Sequence, residues 1–197
     1  KAPSAKEMRE MAPEKIERTA REIGATLKKT GINLNLAPAI DPPSDINGRE
    51  TFMELHGRSW GGIENIEKAR AFVKGMKASG IISAAKHFPG YDSETNSDLQ
   101  MAESDATEEK IRENVAPFKA LAPDAPVIMM SSVRYTKISD LKSIRWPKAK
   151  YNIFPTNTKR KLFWKIMNSF FVTSVHSVLR NIKYMNYICQ AKQLKKS

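Results

Sequence analysis

The chain reads as an α/β fold built on a parallel sheet, and three observations lead there. Helix-like and strand-like stretches alternate along residues 1–142 in the order helix, strand, helix, strand, helix, strand. The strand-like runs are short, apolar and closed by Pro, Gly or Ser, as buried parallel strands are. The length of 197 residues is enough for a domain with a real core. It is short of the roughly 250 residues that a closed eight-stranded α/β barrel typically needs.

Taken in order, the first helix opens at Met11-Ala12-Pro13, with Pro13 suited to a first turn. Ile16, Ala20, Ile23 and Leu27 fall on one face of it. Lys28 and Lys29 close its last turn, and Gly31 stops it. Ile32 to Ala37 is the first strand, and Pro38 ends it. A long polar loop from Pro38 to about Gly62 follows, holding Asp41, Asp45, His56 and Arg58. The second helix covers about Ile63 to Ser79, burying Ile63, Ile66, Phe72, Val73 and Met76. Gly80 stops it, and Ile81 to Phe88 is the second strand. A loop rich in Asp, Ser, Asn and Thr runs from Tyr91 to Ala106. Thr107-Glu108-Glu109-Lys110 caps the third helix with a hydroxyl and acidic residues. Pro117 is expected to kink or end that helix. Pro126 to Ser131 is the third strand, apolar throughout and so expected to be buried on both faces.

Charge is not spread evenly. The net charge of +12 suggests a nucleic-acid binder until it is located. Residues from Ser143 onward hold 12 Lys or Arg and no Asp or Glu, so residues 1–142 hold 33 − 12 = 21 basic against 21 acidic side chains. The excess belongs to the tail alone. The single Cys189 excludes an internal disulfide. No run is long and apolar enough for a spanning helix. Lys1 is not an initiator Met and no leader is visible, so the compartment is not readable.

The stretch from Ile81 to Gly90 concentrates the chemistry. A strand delivers Lys86 and His87 at its carboxyl end, where α/β folds bind ligands. Lys86 is a fixed charge with three donors, and His87 donates, accepts or titrates near neutral pH. The pair suits a polyhydroxylated or anionic ligand, and equally suits two solvated loop positions.

Several segments together resemble one family. Gly31-Ile32-Asn33-Leu34-Asn35-Leu36-Ala37-Pro38-Ala39-Ile40-Asp41, Gly57-Arg58-Ser59-Trp60, Lys86-His87-Phe88-Pro89-Gly90, Pro117-Phe118 and Met129 to Tyr135 are similar, in order, to family 3 glycoside hydrolases. The Pro89-Gly90 ending resembles the β-N-acetylhexosaminidase-like branch. The resemblance covers about Lys1 to Asp140. It implies part of a (β/α)₈ barrel of parallel strands with both ends missing, occupying residues 1–142. It further implies retaining hydrolysis of terminal β-linked sugars by a nucleophile and an acid/base. By that similarity Arg58, Lys86, His87 and Asp41 bind the sugar, with no cofactor and no nucleic-acid partner. For Arg58 a salt bridge to a nearby acid is the competing reading. For Asp41 the choices are orienting the pocket residues or accepting in the turn at Pro42-Pro43.

Two departures stand out. The branch usually carries Asp-Ser-His in the loop after Lys-His-Phe-Pro-Gly, with that His as acid/base. Here the place is taken by Asn96-Ser97-Asp98, so Asp98 is the acid/base candidate and Glu94 the second. Either carboxyl needs burial to raise its pKa; otherwise it is a loop acceptor. Ser139-Asp140 matches the family's nucleophile dipeptide, but too soon after Ser131 for a helix and a strand to intervene. The chain is therefore expected to show negligible turnover, as a glycosidase fragment or as a carbohydrate-binding module.

Residues 143–197 resemble nothing in that family. Leu162, Ile166, Phe170, Val178, Ile182, Met185 and Cys189 fit one helical face, with Lys161, Lys165, Arg180 and Lys183 elsewhere. Such a tail is either a basic amphipathic element for a membrane, a nucleic acid or a partner, or foreign sequence without function. His176 and Cys189 lack further ligands nearby, so no metal site is expected.

Overall fold

A computed structural model describes residues 2–137. The first turn, α1 (Ala5–Met8), carries a capping box between Ser4 and Glu7. Helix α2 (Pro13–Lys29) starts on Pro13 and buries Ile16, Ala20 and Gly24. The following Gly31 has a positive φ. The chain then forms β1 (Leu34–Asn35), a single turn α3 (Phe52–Leu55) and a 3₁₀ turn at Gly62–Asn65. Helix α4 (Ile66–Ala78) leads into β2 (Ile82–Phe88). The remainder is β3 (Glu103–Ser104), α5 (Glu108–Leu121), β4 (Val127–Met130) and β5 (Arg134–Tyr135).

The three expected strands form one parallel sheet in the order β1-β2-β4. β3 and β5 add a separate parallel pair. Helices α2 and α4 pack on each other behind the sheet, so closely that a Cβ on Gly75 would lie 2.3 Å from the Glu17 carbonyl oxygen. Ser79 Oγ ties the end of α4 to the Arg21 carbonyl of α2 (2.7 Å). Arg70 joins α4 to the end of α5 through Asp124 and the Ala120 carbonyl.

Four expectations change. The first strand is expected over Ile32–Ala37, but the ladder with β2 covers only Leu34–Asn35 and pairing resumes as a single bridge at Ala39. The 126–131 strand is half open rather than buried, and Met129 is 37% exposed. Ile63 falls in the 3₁₀ turn and stays exposed, while Ile66, Phe72, Val73 and Met76 are buried. Pro117 does not end α5: the helix runs on to Leu121 with Pro117 buried inside it.

The sheet has two unlike faces. Asn35 faces the helices, its amide reaching the Met76 sulfur (3.8 Å). The opposite face presents Leu34, Leu36, Ile82 and Met129, each 37–48% exposed, by the strand's two-residue period. Leu34 pairs across to Ile82, and Lys86 to Met129. Among the described residues no helix is long and apolar enough to cross a membrane.

Candidate functional site

The sheet continues past β1 through single bridges. Ala39 pairs with Lys86 on one side and Ser59 on the other. The Ile40 N–H donates to the Lys86 carbonyl (2.9 Å) and the Trp60 N–H to the Ala39 carbonyl (2.8 Å). Ser59 Oγ donates to the Asp41 carbonyl (2.7 Å) and accepts the Gly61 N–H (2.8 Å). Three backbone segments, 58–60, 39–41 and 86–88, are thereby clamped side by side at the carboxyl end of the sheet. That is the rim where parallel strands place ligand contacts.

At the centre stands Asp41, fully buried. Its Oδ1 accepts the His87 N–H (2.9 Å) and the Tyr91 N–H (2.8 Å), and its Oδ2 pairs with His87 Nδ1 (2.9 Å). A carboxylate at Nδ1 holds the proton there and leaves Nε2 as the ring's remaining polar atom. Asp41 therefore stands behind the rim and orients His87; it has no open surface to offer a ligand. His87 is itself almost buried, and its ring lies edge-on to Tyr91 at 5.6 Å.

Lys86 is half-buried, and burial pushes its ammonium pKa down. The Arg58 guanidinium pushes it further down, and Asp41 partly offsets both. Arg58 is exposed, and no salt bridge to an acid is seen for it among the described residues. Two cationic groups thus share one neighbourhood beside an oriented imidazole. Cationic donors held close together favour an anion, whose charge relieves their mutual repulsion, and they can also donate to hydroxyls.

The loop after β2 behaves differently from expectation. Asp98 is exposed, with its backbone N–H held by Asn96 Oδ1 (3.0 Å). Glu94 is exposed and bonded to Arg49 (2.9 Å). The burial that an acid/base carboxyl needs falls instead on Asp92, which sequence reasoning passed over. Burial pushes the Asp92 pKa up, against hydrogen bonds from Ser104 and Asn114 that lower it. Its only sequence signal is its place next to Tyr91 in the loop, and nothing local distinguishes it from Asp98. Tyr135 was also missed: its buried hydroxyl donates to the Gly90 carbonyl (2.6 Å), anchoring the Pro89-Gly90 turn. Gly90 itself has a φ of 129° and packs where a Cβ would meet Asn114 at 2.8 Å.

A cavity of about 340 Å³ lies beside the rim, lined by acids of the two loops (among them Asp45, Asp92 and Asp105) and by Arg49. None of Arg58, Lys86, His87, Asp41 or Asp98 lines it. His56 lies off the rim and caps α3 through the Phe52 carbonyl (2.9 Å). No group of three or more His, Cys, Asp or Glu among the described residues is placed to hold a metal ion. Asp140 and the whole of residues 143–197, with His176 and Cys189, lie outside the described residues.

Comparison with known proteins gives this geometry a context. The Glycosyl hydrolase family 3 N terminal domain matches residues 2–165. Beta-hexosaminidase A of Pseudoalteromonas piscicida is 28% identical over 131 residues, which is 64% of this chain and 22% of that protein. The crystal structure of a beta-N-acetylhexosaminidase from Beutenbergia cavernae is similar at a TM-score of 0.59 and 29% identity, over 68% of this chain and 42% of that one. NagZ from Neisseria gonorrhoeae, crystallised with N-trifluoroacetyl-D-glucosamine, shares the fold at a TM-score of 0.61 and 22% identity, over 70% of this chain and 43% of its own. The chain spans less than half the length of each.

Proposed function

The chain belongs to the glycosyl hydrolase family 3 N-terminal domain family, and from that premise we propose that Arg58, Lys86 and His87 are sugar contacts of a retaining glycosidase acting on terminal β-linked N-acetylhexosamine-type residues. The observation that carries this reading is the clamp of segments 58–60, 39–41 and 86–88 with Asp41 holding His87 through both its backbone and its ring. Fixed donors of this kind position a neutral polyol and strengthen as the ring distorts. The names of the relatives point to the same sugar class.

On this reading Asp41 is the positioning residue for the imidazole. Asp98 is the acid/base candidate by its place in the Asn96-Ser97-Asp98 segment alone, since its exposed carboxyl lacks the burial that the role needs. The expected division into a barrel part at residues 1–142 and a tail at 143–197 is not supported as drawn, because the family match runs on to residue 165. No Asp or Glu follows β4 among the described residues, and Ser139-Asp140 lies too near β4 for the family's nucleophile. On this reading negligible turnover is expected of these residues.

Calorimetric titration with N-acetylglucosamine tests the site. Heat of binding at millimolar sugar is expected, with Lys86→Met and Arg58→Ala each weakening it roughly tenfold or more, the scale of a lost charged hydrogen bond. Lys86→Met should at the same time raise thermal stability, because a partly desolvated ammonium beside Arg58 is removed. A folded wild-type chain giving no heat up to millimolar sugar rejects the site. Rapid release of p-nitrophenol from a β-N-acetylglucosaminide rejects the claim of negligible turnover.

A further inference from the structure

We propose that Tyr91 is a positioning residue that ties the Thr95–Asp98 segment to the His87 side of the rim. The inference rests on the sugar-site reading above and deepens it by naming what holds the acid/base loop in place.

Tyr91 touches both sides. It is 1% exposed, its N–H donates to the same Asp41 Oδ1 that holds the His87 backbone, and its ring meets the His87 ring edge-on. Its hydroxyl reaches the other way. It donates to the Thr95 carbonyl (2.6 Å) and accepts the Ser97 N–H (2.8 Å). The 94–98 stretch belongs to no helix or strand, so these two backbone groups have no ladder partner to replace the phenol. The hydroxyl of Tyr91 therefore sets where Asn96, Ser97 and Asp98 stand relative to His87. A second link comes from the exit of β4, where Ser132 Oγ donates to Ser97 Oγ (2.7 Å). Ser97 is thus held from the segments that follow two neighbouring strands. Among the described residues the hydroxyl's only hydrogen-bond partners are the loop's own backbone groups.

The test compares the full chain with its Tyr91→Phe variant, which keeps the ring against His87 and Phe52 and removes the hydroxyl. Amide exchange resolved by ¹⁵N–¹H spectra is followed by titration of the same samples with N-acetylglucosamine. The Ser97 amide is expected to lose protection by about tenfold, with the His87 amide unmoved, and sugar affinity to fall by roughly twofold to tenfold, the range for one hydrogen bond. An unchanged Ser97 amide overturns the tether. A freed Ser97 with unchanged sugar affinity overturns the positioning role. A wild-type chain that binds no sugar sinks the site and this role with it, and the Ser97 readout still reports on the tether separately. Should the variant not fold, the wild-type spectrum decides: a Ser97 amide without protection overturns the proposal.

Discussion

Asp92 is the residue whose titration reads most directly on the fold. Burial raises its pKa above 3.8, so the folded chain prefers the protonated form. The sign follows from linkage: its contribution is fully present below pH 3.8 and is lost as pH rises through the elevated folded value. At pH 7 a buried carboxylate opposes folding. Asp92→Asn should therefore raise the melting temperature at pH 7, by about 1 kcal/mol of stability, and the gain should vanish near pH 3.5. Equal gains at both pH values would show that charge burial is not the cause. Glu54 has the opposite sign. Burial pushes it up, but Arg9 and Lys6 outweigh that and hold it below 4.5, so its ion pair strengthens the fold above that pH and fades in acid. Asp92 and Asp98 lie in one polar loop and look alike in the sequence. Only the packing of Ser104 and Asn114 around Asp92 makes it the buried one.

At the scale of elements, the crossing of α2 and α4 is the packing on which the sheet rests. Gly75 lies inside a helix, where glycine is unfavourable by roughly 0.5–1 kcal/mol relative to alanine. Its place is explained by the approach of α2, whose Glu17 carbonyl and Ala20 side chain occupy the space a Cβ would need. Gly75→Ala should lower stability by about 1–3 kcal/mol despite the better helix propensity, as thermal unfolding would report. A neutral or stabilising result would mean that the two helices can part without loss. The helices themselves were legible. Pro13, the Ile16-Ala20-Ile23-Leu27 spacing and the Thr107 cap all mark observed boundaries or buried faces. The turn α1 was not read, although Ser4 and Glu7 carry its capping box, because four residues are too few to show a period. The pair β3-β5 was not read for the same reason, each strand being two residues long.

For the whole molecule, the open sheet face is the feature with the largest consequence. Leu34, Leu36, Ile82 and Met129 expose apolar surface on one side of the sheet among the described residues. The full chain is expected to self-associate with rising concentration, and the double substitution Leu36→Asn, Ile82→Asn to suppress it while leaving the helical circular dichroism intact. Sedimentation velocity across a tenfold concentration range would read this. A monomeric wild type over that range would mean that the face is covered.

The sequence by itself determined the class of fold, the order of its main elements, the family, and the residues gathered at the rim. Those follow from periodicity, caps and short motifs, which are local. Only the tertiary structure decided that Asp41 stands behind His87, that Asp92 is buried while Asp98 is exposed, and that the hydroxyl of Tyr91 holds the loop between them. Those facts depend on which segments meet across tens of residues, and burial is a property of that meeting rather than of any residue alone.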